Sequence, residues 1–88
     1  MLRITCVASD SEARTVKVEG RIAGEYVLEL SRVARVAMEK SPRIVLDMSQ
    51  VEFVDHAGAA LLRSLRDGGV TFVDCSSFIS SLINGGAE

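Results

Sequence analysis

A strand caught between two helices constrains this chain most. Val27, Leu30, Val33, Ala34 and Ala37 recur at helical spacing after Gly24. Ser41-Pro42 stops that pattern, because the residue before a proline is pushed out of the α region. Ile44-Val45-Leu46 follows, an apolar run that predicts a strand covered on both faces. After it, Ser49 to Val54 reads as a short loop. A second helix is predicted from about His56 to Asp67, with Leu61, Leu62 and Leu65 inward and Arg63 and Arg66 outward. Asp55 is placed to accept from the free N–H groups of its first turn, and Gly68-Gly69 gives its stop. Strands joined through single helices must run parallel, with right-handed crossovers.

The flanks complete the order. Leu2, Ile4 and Cys6 alternate with Arg3, Thr5 and Val7, and Val16 and Val18 alternate with Lys17 and Glu19. Ser9-Asp10-Ser11-Glu12 is a polar turn between these two strands, which makes them a hairpin, and Gly20 closes the second. Along the exposed side of the first helix, Glu29 with Arg32 and Arg35 with Glu39 are spaced to pair. Val70-Thr71-Phe72-Val73 is the last strand. Ser76 or Ser77 then caps a short helix carrying Phe78, Ile79, Leu82 and Ile83, which Asn84-Gly85-Gly86 ends. The expectation is one α/β domain over residues 1–88: a mixed, mostly parallel sheet of about four strands with three helices, in the order β-β-α-β-α-β-α.

Composition excludes several function classes. A chain of 88 residues buries only about 60–65% of its unfolded surface, so the core is modest. Apolar residues make up 48% of it, and mean hydropathy is +0.26. That predicts an apolar surface patch for a partner to cover. The net charge is −2 with no basic stripe, and there are three Phe, one Tyr and no Trp. Nucleic-acid binding therefore lacks both its electrostatic footprint and its stacking platforms. The apolar runs are far shorter than the roughly 20 residues that span a bilayer, and no signal-peptide core opens the chain. No membrane insertion and a cytoplasmic location are expected. Cys6 and Cys75 read as small buried hydrophobes at strand positions, with a disulfide or redox role as the alternative. With the single His they make no zinc spacing. No phosphate-binding loop or dinucleotide fingerprint is present, so no cofactor and no enzyme activity are expected.

The run Leu46-Asp47-Met48-Ser49-Gln50-Val51-Glu52-Phe53-Val54-Asp55-His56-Ala57-Gly58 resembles the switch region of STAS domains, the family that includes anti-sigma-factor antagonists. Val18-Glu19-Gly20-Arg21-Ile22 looks like the family's Gly-x-Leu turn, and Val70 to Ser76 like its next strand and the helix start after it. The element order agrees over nearly the whole chain. In the antagonists the segment at 55–58 resembles Asp-Ser-Ser-Gly, whose second Ser accepts a phosphate. Here His56 and Ala57 occupy the two serine positions, so the phosphorylation position is lost at Ala57. Ala23 replaces a common Asp, and Ala59 replaces the usual Leu. The chain also stops after its third helix, where many relatives continue, which implies a sheet edge for a partner to cover.

A phosphate on a helix N-terminus adds about −1.5 to −2 charges. The helix tolerates that charge, whereas a docked surface does not. Ala57 removes this switch and leaves a small uncharged group, which implies constitutive binding. Transfer of the phosphosite to Ser49 is an alternative, beside a purely local hydrogen bond for that hydroxyl. His56 is expected as an exposed first-turn residue or a partner contact. One His with Asp47 and Asp55 supplies neither a nucleophile nor a metal shell. The resemblance implies partner binding through Ser49, Phe53, Asp55, His56, Ala57, Gly58 and the loop at Gly24. It names the partner as an anti-sigma factor with a serine-kinase fold. The alternative partner is the ATPase of a phospholipid-transport ABC system, whose STAS subunits carry a motif resembling Asp-Thr-Ala-Gly. A scaffold role in a larger signalling assembly is a third possibility.

Overall fold

The structure, a computed structural model, describes residues 1–10 and 12–83. Strands β1 (Leu2–Ser9) and β2 (Ala13–Ile22) are followed by helix α1 (Glu25–Lys40), strand β3 (Arg43–Val54) and helix α2 (His56–Asp67). Strand β4 (Thr71–Val73) and helix α3 (Ser77–Ile83) complete the order β-β-α-β-α-β-α. The sheet order is β1-β2-β3-β4. β1 pairs antiparallel with β2, and β2–β3 and β3–β4 are parallel. The fold is thus the mixed, mostly parallel α/β arrangement read from the sequence.

One core lies between the helices and one face of the sheet. Alternate strand residues supply it: Val16, Val18 and Ile22 from β2, and Ile44, Leu46 and Met48 from β3. Leu30, Ala34 and Ala37 of α1 and Ala59, Leu62 and Leu65 of α2 close over them. Ile22, Leu30 and Leu62 are fully shielded. Val45 is only half-buried, so β3 is not covered on both faces as its apolar run suggested. The sheet's second face stays open, with Lys17 and Asp47 on it as register partners.

Local signals set most boundaries. The Asp10 carboxylate takes the N–H groups of Glu12 and Ala13, both at 2.8 Å, and forms the polar turn. Ser76 Oγ takes the Ile79 N–H at 3.2 Å, which decides the cap of α3 in favour of Ser76. At the end of α2, Gly69 has φ +102, a left-handed value that favours glycine. The Val70 N–H then closes on the Leu65 carbonyl at 3.0 Å. The expected end of α3 at Asn84-Gly85-Gly86 lies outside the described residues.

Several further expectations need correction. Residues 49–54 are not a loop, since β3 runs to Val54 and only Asp55 separates it from α2. Likewise β2 does not close at Gly20 but continues to Ile22. The register slips between Lys17 and Glu19 and again between Gly20 and Arg21, and such bulges erase a strand's alternation. Among the described residues, Glu29–Arg32 and Arg35–Glu39 form no ion pair. Arg66 with its neighbour Asp67 does, at 3.2 Å.

Arg63 and Arg66 do not simply point outward. Both are half-buried. Arg63 donates to the Leu82 carbonyl at 2.8 Å, and Arg66 donates to the Ile83 carbonyl. Two guanidinium groups thereby satisfy carbonyls at the end of α3 and tie that helix to α2.

Candidate functional site

The site is built where β2 and β3 end together. Ile22 and Val54 are register partners, and each strand hands over to a helix. Asp55 has extended backbone, so its side chain can turn onto the helix it precedes. Its Oδ1 accepts from the Gly58 N–H at 2.7 Å, the N-cap bond expected from the sequence. Its Oδ2 accepts from the Gly24 N–H at 3.0 Å, across 31 positions of chain. The Asp55 N–H in turn donates to the Ile22 carbonyl at 3.1 Å. One carboxylate thus latches the start of α2 to the turn that begins α1.

These bonds set the electrostatics. The Gly24 N–H, then the Gly58 N–H, holds the Asp55 carboxyl below its ordinary pKa range, against a smaller opposing effect of desolvation. Gly24 has φ +60 and ψ −134, a backbone state that side chains avoid, so glycine is needed there to turn its N–H onto Asp55.

Gly58 marks a close approach of backbone at the start of α2, as its place in the sequence leads one to expect. It is buried. A Cβ at this position would run into the Ile22 carbonyl oxygen and sit 3.0 Å from both Ile22 Cγ2 and Val54 Cγ1. The missing side chain lets α2 pack closely on the strand ends. His56 and Ala57, in contrast, are both exposed on the first turn of α2. Phe53 is 38% exposed, with the Arg21 guanidinium 4.6 Å from its ring centroid. That stacking holds the ring at the rim of the site, a cation–π contact the sequence did not signal. Gly24 is exposed beside them.

Ser49 stands apart. It lies six positions before Asp55 along β3, about 20 Å at the usual rise per residue. Its N–H donates to the Asp47 carboxylate at 2.9 Å. That bond, with one from the Ser49 hydroxyl, lowers the Asp47 pKa. Asp47 lies within β3. Cys6 is exposed and Cys75 half-buried, and both are free thiols, so neither is the buried hydrophobe expected. Among the described residues no three His, Cys, Asp or Glu side chains gather as a metal would require. No helix of the described residues is long and apolar enough to cross a membrane.

A four-stranded, mostly parallel sheet with three helices in this order matches the STAS fold. The chain is similar in fold to the solved anti-sigma factor antagonist SpoIIAA in its unphosphorylated form, with a TM-score of 0.75. The match covers 93% of this chain and 82% of that one at 12% sequence identity, so the likeness is one of fold. No family model matches the sequence, and no curated protein matches it.

Proposed function

We propose that this chain is a non-catalytic protein-interaction domain of the anti-sigma-factor-antagonist kind. Its partner is an anti-sigma factor with a serine-kinase fold, bound without phosphorylation control at the usual position. One observation carries the reading: an exposed Ala57 sits on the first turn of a helix that Asp55 fixes rigidly to the Gly24 turn. A small apolar group on a rigid helix start packs closely against a partner, and it offers no hydroxyl for phosphorylation. His56, Ala57, Phe53 and Gly24 form the exposed face, and Asp55 and Gly58 position it. Ser49 falls at the rim, within the span of an interface of about 800 Å² per partner. The domain acts in the cytoplasm by competition, taking the anti-sigma factor from its sigma factor.

Ala57→Asp tests this. Ala57 is exposed, and a carboxylate near a helix N-terminus suits the helix, so the fold survives the change. Calorimetric titration with the kinase-fold partner should show affinity falling about tenfold or more, equivalent to about 1.4 kcal/mol. Unchanged affinity removes this surface from the proposal. The Asp-His-Ala-Gly sequence keeps a second reading in play, a STAS subunit bound to a phospholipid-transport ATPase. Retention of that ATPase, and no kinase-fold protein, on the native chain but not on the Ala57→Asp chain would replace the first reading with the second.

A further inference from the structure

We infer that the cleft between α1 and the first two strands is a binding site for a small anionic amphiphile, an aliphatic monocarboxylate. The cleft shares no residue with the α2 start. It arises because the helices close over β2 and β3, while β1 lies at the sheet's edge with Cys6 to Ser9 exposed. Its volume is about 430 Å³, within the range of small-molecule sites.

The lining is amphipathic. Ile4 and Val16 of the sheet and Val33 and Ala37 of α1 make an apolar floor. Arg14, Arg32 and Lys40 supply three cations, against one carboxylate from Glu29. Among the described residues none of the three cations has an ion-pair partner. Arg14 is the telling one. It is half-buried, one of its terminal nitrogens donates only to the Cys6 sulfur at 3.6 Å, and its Nε is buried with no acceptor. A guanidinium held beside an apolar floor without a counter-ion is costly. A carboxylate supplies the fork-shaped acceptor that a guanidinium fits. An alkyl tail on that carboxylate covers the floor. A bare anion leaves the floor wet, and a cationic amphiphile meets like charge at the wall.

Amide NMR titration of the whole chain tests the inference, using decanoate below its micelle concentration. Decyltrimethylammonium serves as the tail with the opposite charge, and acetate as the head alone. Decanoate should give saturable shifts confined to β1, the first half of β2 and α1. The cationic probe should bind at least tenfold more weakly, and acetate should give no saturable shift over the same range. Arg14→Met keeps an apolar stem and should weaken decanoate at least tenfold. Val36 lines the cleft and is 49% exposed, so Val36→Glu places a negative charge there without disturbing the core and should do the same. The inference is overturned by absence of a saturable decanoate shift, by equal binding of the cationic probe, or by full affinity in the folded Val36→Glu chain.

Discussion

Gly58→Ala tests whether the start of α2 really rests on the end of β2. Alanine is the better helix former by up to about 1 kcal/mol, so propensity alone predicts stabilisation. Packing predicts the reverse. The added methyl meets the Ile22 carbonyl oxygen and two side-chain carbons at 3.0 Å. Side-chain carbons can yield by small rotations, but the carbonyl cannot. It belongs to a strand paired with β3 and holds the Asp55 N–H at 3.1 Å. Overpacking costs about 1–3 kcal/mol, and a backbone obstacle places this site at the upper end. About 3 kcal/mol of clash against about 1 kcal/mol of propensity leaves a net loss of about 2 kcal/mol. For a domain of this size, that lowers Tm by about 8–16 °C. Thermal and urea unfolding followed by helical circular dichroism measure it, with an unchanged urea slope showing that the unfolded state is the same. Ala60→Gly, at an exposed position of the same helix, is the control. It loses propensity alone, about 1 kcal/mol. A Gly58→Ala chain as stable as the native one would refute the close approach, and with it the rigid latch on which the proposed docking face depends.

Acid should weaken the same latch. The Asp55 pKa lies below its ordinary value of 3.8 in the folded chain. Its stabilising contribution is therefore complete above the unfolded value and lost as pH falls through the folded one. Asp55→Asn should show a smaller drop in urea midpoint across that acidic window, and an identical drop would remove Asp55 from the account. Asp10 and Asp47, lowered by their own backbone bonds, keep some acid sensitivity in both chains. Arg66→Met removes the bond to the Ile83 carbonyl at a cost of about 1 kcal/mol. Amide exchange should quicken in α3 and stay unchanged in α1, whereas uniform quickening would show that the tie is not local. In the native chain, iodoacetamide at neutral pH should modify Cys6 before Cys75. Cys6 is exposed, while burial, then the charge of Asp74, raises the Cys75 thiol pKa. Peptide mass spectra showing the opposite order would contradict the placement of β1 at an open edge.

What could be read in advance, and what could not, divides along a physical line. α2 was legible at both ends because its stops are local: Asp55 caps within three residues, and Gly68-Gly69 closes within five. The parallel topology followed from the connections alone. The far half of β3 is not legible because two bulges shift its register against β2, and a run such as Ser49-Gln50-Val51-Glu52 then lacks the alternation that marks a strand. Cys6 shows a subtler limit. Alternation placed it with Leu2 and Ile4, and the register agrees, since Cys6 lies opposite buried Val16. Whether that face is covered depends on where α1 lies across the sheet, which no local pattern encodes. The same overhang that exposes Cys6 opens the cleft beside Arg14. The site divides in the same way. His56 and Ala57 could be placed on a first turn from neighbouring residues. The bond from the Gly24 N–H to Asp55, the stack of Arg21 on Phe53 and the seat of Gly58 on Ile22 join segments far apart in the chain. Those three contacts convert a helix start into a fixed surface. A substitution that spares the helix but breaks the Gly24–Asp55 bond should therefore reduce partner affinity while leaving α2 intact.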